Sequence, residues 1–131
     1  MAVKVAVLAL LLAASPAGAA DWNCSNRNLA EIRCRAGSCE IVDEQDGFTQ
    51  MELSISDARV ELCAYSACSP GRVTLRRTAG TYTLYHASLR GRTEGPVAII
   101  LDAADRTALM RWSGFANVMT CVRAATAPRG R

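Results

Sequence analysis

The cysteines are the residues whose number and spacing point most directly to chemistry. There are six, and four of them form two pairs with the same spacing, Cys34–Cys39 and Cys63–Cys68, with four residues between the partners. In an exported chain, an even number of cysteines predicts disulfides with no thiol left over. Each pair can close a short loop or join facing positions of a tight hairpin.

The two remaining cysteines, Cys24 and Cys121, lie near the ends of the chain, and a bridge between them would tie those ends together. Spacing alone does not select the pairing, because six cysteines can combine in many ways. Two pairs of thiolates could instead hold zinc, but this spacing is at the edge of the zinc pattern, and an oxidising compartment favours disulfides. We therefore expect no metal and no cofactor.

Arginine carries nearly all of the positive charge. The chain has 14 arginines, one lysine (Lys4) and 12 acidic residues, too weak a positive field to indicate nucleic-acid binding. Guanidinium groups bind carboxylates and phosphates through paired hydrogen bonds, although codon bias in a GC-rich bacterial genome would produce the same excess. An anion patch is expected on one predicted hairpin and the loop after it, at Arg72, Arg76, Arg90 and Arg92.

His86 is the only histidine. As a general base it would need a nucleophile and an orienting group nearby, and no motif supplies them. The sequence around Ser113 lacks the leading glycine of a nucleophile elbow. We therefore expect no catalytic residue. The alternative is a small periplasmic hydrolase that uses Asp or Glu together with His86.

The elements that must position these side chains are short strands. Residues 48–55 alternate, with Met51, Leu53 and Ile55 on one face, which is typical of a half-buried strand. Residues 97–101 form a continuous apolar run, which is typical of a central strand buried on both faces.

Turn signals between such strands recur about every 8–12 residues, for example at 69–71. The pattern predicts an all-β fold: a small disulfide-stapled antiparallel meander, either a sandwich or a barrel, with about seven to nine strands. Val73 and Leu75 are expected to share one face. The alternative is an α+β fold with one short helix, at 24–33 or 103–110.

The first twenty residues have the pattern of a bacterial-type signal peptide. Lys4 supplies the positive start, an apolar run of ten follows, and small residues offer a cleavage site. The run is too short to cross a bilayer as a helix. We expect a cleaved signal peptide at 1–20, a single domain at 21–126 and a disordered tail at 127–131. The mature protein would be periplasmic or secreted.

No motif is specific enough to name a family. We expect a non-enzymatic binding or inhibitor-like module for an unknown protein or envelope ligand, with no nucleic-acid partner and no transmembrane segment in the mature chain. Binding residues commonly lie on loops, here 43–47, 69–72, 90–96 and 113–117. A third possibility, an envelope structural protein, would expose an apolar patch.

Overall fold

The protein is described by a computed structural model that covers residues 21–27, 31–42 and 49–125. The expected signal peptide (1–20), loop 43–47 and tail (127–131) lie outside these residues. Within the described residues, no helix is long and apolar enough to span a membrane.

The described chain is built of ten antiparallel strands and contains no helix. The strands are β1 (Trp22–Ser25), β2 (Glu31–Arg35), β3 (Ser38–Val42), β4 (Met51–Ile55), β5 (Arg59–Ala64), β6 (Ala67–Ala79), β7 (Tyr82–Leu89), β8 (Gly95–Asp102), β9 (Thr107–Trp112) and β10 (Phe115–Arg123). The all-β prediction is confirmed. The described parts of the two candidate helices contain strands β1, β2 and β9 and a turn instead.

Eight of the strands close into a barrel. From β4 to β10 each strand pairs with the next, and β1 completes the ring by pairing with both β4 and β10. Strand β10 is shared, because residues 115–117 pair with β2 and residues 120–123 pair with β1. The β2–β3 hairpin is therefore an extension of the wall. Of the two architectures expected, the structure has the barrel.

Side chains fill the barrel interior. Met51, Leu53 and Ile55 are at most 1% exposed, as their alternation predicts, because successive residues of a strand point to opposite faces. Residues from the other strands complete the core, among them Leu62, Tyr85, Ile99, Met110 and Met119. An eight-stranded barrel is just wide enough to be filled in this way, so ligand binding is to be sought on the outer wall.

Three disulfides join all six cysteines, and each connects residues directly opposite on neighbouring strands. The pairs are Cys24–Cys121, Cys34–Cys39 and Cys63–Cys68. The two short bridges share one geometry: each lies two residue pairs from the centre of a two-residue hairpin turn. Ala36 and Tyr65 take positive φ at the start of these turns, as the twist of tight hairpins requires. This explains why the two pairs have equal spacing.

The apolar run 97–101 is buried on only one face, which corrects the expectation of two. Val97, Ile99 and Leu101 point inward and are at most 2% exposed, whereas Ile100 points outward and is 44% exposed. The reason is the architecture: the barrel covers the inner side of β8, and no described segment of the chain covers its outer side.

Leu75 also lies on the face opposite to the one expected. Val73 faces Ala87, but the next pair is Leu75 with His86, so β6 gains one residue at Thr74. Such a bulge reverses the alternation that follows it, and Leu75 is 40% exposed. The predicted turn at 69–71 is likewise inside β6, because the hairpin turn comes earlier, at 65–66.

Candidate functional site

Three arginines meet in a cleft of about 970 Å³ on the outer wall. Arg59 on β5 and Arg72 on β6 are directly opposite each other, and Arg90 follows the last residue of β7. Ser88 and Asp57 also line this cleft. We call the surface formed by these five residues the arginine cleft.

The three arginines are not neutralised by the part of the chain that the structure describes. None of them makes an ion pair with a residue that the structure describes. Asp57 lines the same cleft, but its carboxylate forms an ion pair with Arg76, whose Nε lies 3.0 Å from it. Like charges directly opposite on neighbouring strands destabilise a sheet, so Arg59 and Arg72 favour an anion between them.

The floor of the arginine cleft is held by backbone contacts. A Cβ atom on Gly71 would lie 2.8 Å from the carbonyl oxygen of Ser88, so only glycine lets β6 approach β7 this closely. The Val73 amide donates to the Ala58 carbonyl at 2.9 Å, and the Arg90 amide donates to Pro70 at 2.9 Å. Both rims are therefore tied to β6, which presents the arginines on a rigid support.

The predicted anion patch is divided by the fold. Arg72 and Arg90 line the arginine cleft, whereas Arg92 lies on the following loop, outside the lining residues. Arg76 is engaged elsewhere: its guanidinium lies over the Tyr85 ring at 5.9 Å. A hydrogen bond with Tyr85 and the charge of Asp57 raise the pKa of Arg76 above its usual value.

Arg59 is the arginine of the cleft that sequence reasoning missed. A signal for it existed: Arg59 alternates with the inward Val60, so it had to point outward. The pairing of β5 with β6 that places it opposite Arg72 is set by the Cys63–Cys68 hairpin, and this register could not be chosen before the disulfide was known.

A second cleft, of about 410 Å³, lies on the other side of β7. Its floor is Ala98 on β8, which faces His86 on β7 and Arg111 on β9. Glu94, just before β8, and Ser113, in the β9–β10 turn, complete its walls. We call these five residues the histidine cleft. Of them, Glu94 and Arg111 were not singled out by the sequence.

The histidine cleft brings together the residue types of a hydrolase but not their contacts. Ser113 follows Trp112, which faces Val97, whereas His86 faces Ala98. Ser113 is therefore two strands away from His86, a lateral distance of about 10 Å. Within the described part of the chain, the side-chain partner of His86 is Thr74, which contacts Nδ1 of the ring and donates to the His86 carbonyl.

An exposed apolar row crosses four strands between the barrel ends. Leu84, Ile100, Leu109 and Val118 are successive cross-strand partners. The last three are 42–44% exposed. Contiguous apolar side chains exposed on a surface often mark an interaction site, so this row is a candidate contact region.

The described residues contain one cluster with the spacing of a metal site. It consists of Glu61, Cys63 and Cys68, whose ligand atoms lie within 4.8 Å of one another. The two sulfurs are bonded to each other in a disulfide, so neither is a thiolate, the form that binds zinc. The cluster therefore does not offer a three-ligand site in the oxidised protein.

Comparison of the chain with protein families, with curated proteins and with solved structures gives no match.

Proposed function

We propose that the protein is an exported, non-enzymatic binding module that recognises an anionic ligand through the arginine cleft. The observation that carries this proposal is a group of three arginines on one wall of the barrel, Arg59, Arg72 and Arg90, none of which forms an ion pair with a described residue. A carboxylate or phosphate between Arg59 and Arg72 would replace their repulsion by charge-assisted hydrogen bonds.

The scaffold supports a binding role. The wall beneath the cleft is a closed barrel with a packed interior, and the bulge at Thr74 lies at the cleft margin. Sites on rigid strands hold their side chains in place before the ligand arrives, which lowers the entropic cost of binding.

Export is supported by two independent features. Residues 1–20 have the pattern of a signal peptide, and the cysteines are all placed for disulfides. Disulfides persist in oxidising compartments and are rare in the cytosol of most organisms. Both features support a periplasmic or secreted location.

The test is titration of the oxidised domain 21–131 with inorganic phosphate and with tripolyphosphate, followed by calorimetry or NMR. We expect tripolyphosphate to bind more tightly than phosphate, because it can contact several guanidinium groups. Arg72→Gln should weaken binding by about tenfold. Arg77→Gln, on the same strand but outside the cleft, is the matched control and should change it by less than about twofold. Equal effects of the two substitutions would contradict the proposal.

The hydrolase alternative is favoured by the presence of His86, Glu94 and Ser113 in one cleft. Its weakness is the missing contact between a nucleophile and a base. Hydrolysis of an ester or glycoside substrate that disappears in a folded His86→Ala variant would replace the binding proposal by an enzymatic one.

The envelope-structural alternative is favoured by the exposed row of Leu84, Ile100, Leu109 and Val118. Sedimentation of the oxidised domain separates it from a binding module. Stable self-association that Ile100→Arg abolishes would support a structural role, whereas a monomer leaves the row as a small apolar surface of a binding protein.

A further inference from the structure

The histidine cleft holds two opposite charges that form no ion pair with the described residues. Arg111 and Glu94 both line it, and neither makes an ion pair with a described residue or with the other. The floor of the cleft is the methyl group of Ala98, which faces Arg111 on one side and His86 on the other. With neighbouring strands about 4.8 Å apart, the His86 and Arg111 backbones are about 10 Å apart across this floor.

His86 is held in one orientation by Thr74. The Thr74 hydroxyl donates its hydrogen to the His86 carbonyl at 3.1 Å, and the same oxygen lies 2.8 Å from His86 Nδ1. Because a hydroxyl has a single hydrogen, both contacts are satisfied only if Nδ1 carries the proton and donates it to Thr74. In the neutral ring, Nε2 is then an unprotonated hydrogen-bond acceptor.

The position of Thr74 also sets the direction of the ring. Thr74 is on β6, on one side of β7, and the histidine cleft lies over β8 and β9, on the other side. With Nδ1 turned toward β6, the opposite edge of the ring, which carries Nε2, is turned toward the cleft. Nε2 has no partner among the residues that the structure describes.

We infer that the histidine cleft is a binding site for a small zwitterion, with Arg111 holding its carboxylate and Glu94 together with His86 Nε2 holding its ammonium group. A dipeptide or a free amino acid has this chemistry. The guanidinium matches a carboxylate with two parallel hydrogen bonds, the two acceptors match N–H donors, and Ala98 leaves room for a small side chain above the floor. The site is separate from the arginine cleft and does not depend on it.

The probe is dialanine, with its N-acetylated and C-amidated forms as matched controls, titrated into the oxidised domain. The ring of the single histidine is the reporter, followed by NMR at a pH where it is neutral. We expect dialanine to shift the His86 ring resonances and each blocked form to bind about tenfold more weakly. Absence of any shift at about 10 mM dialanine, or equal binding of all three forms, overturns the inference.

Two substitutions assign the charges. In Arg111→Gln, dialanine and its C-amidated form should bind equally, because the charge that distinguishes a carboxylate from an amide is lost. In Glu94→Gln, dialanine and its N-acetylated form should bind equally, because the charge that distinguishes an ammonium group from an acetylated amine is lost. Arg77→Gln, outside both clefts, is the control and should leave dialanine binding unchanged. Loss of dialanine binding in Arg77→Gln, or unchanged selectivity in Arg111→Gln, overturns the assignment.

The tautomer is tested without any ligand. Long-range ¹H–¹⁵N spectra of the neutral ring should show the proton on Nδ1, and Thr74→Val should shift it toward Nε2, since the acceptor for Nδ1–H is then lost. A proton found on Nε2 in the unmodified protein overturns the role given to His86.

Discussion

Ile99 and Ile100 are neighbours of the same residue type on β8, yet they belong to different regions of the molecule. Ile99 points into the barrel and is fully buried, whereas Ile100 points outward and is 44% exposed. The inner face of the wall holds the packed core, and the outer face holds both clefts and the apolar row. The inner face is therefore constrained by packing, whereas the outer face is free to carry binding chemistry.

The disulfides follow the same division. Cys24 and Cys121 lie inside the barrel, each 3% exposed, and belong to the core. The two hairpin bridges lie outside the core. One cysteine of each bridge is exposed, namely Cys39 in the first and Cys68 in the second. The inner bridge closes the ring between the first and last strands, whereas the outer bridges only reinforce hairpins that are already closed by their turns.

The largest effect is expected from opening the inner bridge. Cys24→Ala with Cys121→Ala removes a link between residues 97 apart in sequence, for which chain entropy alone predicts a loss of about 4–5 kcal/mol in the free energy of unfolding. That is a large part of the about 5–15 kcal/mol of an ordinary domain. Denaturant unfolding of the oxidised proteins measures it.

The control for this prediction is Cys63→Ala with Cys68→Ala, whose partners are five residues apart. The same model predicts a loss of only about 2 kcal/mol for so short a loop. If the outer bridge proves equally costly, then the hairpin bridges are not mere reinforcements, and the division between inner and outer bridges fails.

The next largest effect separates the two isoleucines. Ile99→Ala leaves a cavity in a packed interior and should cost about 2–5 kcal/mol, whereas Ile100→Ala removes a half-exposed side chain and should cost about 1 kcal/mol or less. Thermal or denaturant unfolding gives both values. A cost for Ile100→Ala close to that for Ile99→Ala would mean that something covers the outer face in solution.

The isoleucine pair also shows what the sequence could predict of the fold. Alternation places Met51, Leu53 and Ile55 correctly, because a half-buried strand leaves a period of two in hydropathy. An apolar run has no such period, so the outward position of Ile100 could not be distinguished from a second buried face. Leu75 was misplaced for another reason: a one-residue bulge leaves no mark in the hydropathy of the strand.

The candidate sites were less predictable than the fold. The arginines of one hairpin could be named from their spacing, but the cleft also needs Arg59, which joins them only through the β5–β6 register. Glu94 and Arg111 are far apart in sequence and meet His86 only because three strands lie side by side. Sites assembled across strands depend on pairings between distant residues, and no local pattern encodes these.

A smaller effect on stability is expected when the pH is lowered, because of Asp102, the last residue of β8. Burial of Asp102 acts to raise the pKa of its carboxyl, but hydrogen bonds from the Ala104 and Asp105 amides and the Thr81 and Tyr82 hydroxyls outweigh it and lower that pKa. The ionised form therefore stabilises the fold above the ordinary aspartate pKa of about 4, and this contribution is lost as the pH falls through the lowered value.

Asp102→Asn should accordingly be less stable than the unmodified protein at neutral pH, with the difference shrinking below about pH 4. Asp105→Asn, in the same turn but with an exposed side chain, is the control. Unfolding curves recorded across this range check the sign, and a difference that grows in acid would show that the carboxyl is not stabilised in its ionised form.

The smallest effect is expected from the repulsion between two arginines on the outer face of the barrel. Arg59 and Arg72 are exposed, directly opposite each other, and unpaired by the described chain, so Arg72→Gln should raise the free energy of unfolding by about 0.2–0.5 kcal/mol at low salt. The gain should vanish at about 1 M salt, where screening acts within about 3 Å. Arg77→Gln, outside the cleft, should show no such gain.

Tripolyphosphate should then stabilise the unmodified protein more than it stabilises the Arg72→Gln variant, since a ligand stabilises the state it binds. Lower stability of Arg72→Gln without ligand would mean that Arg72 serves the fold, as inner-face residues do, and that the arginine cleft is not a site kept open for an anion.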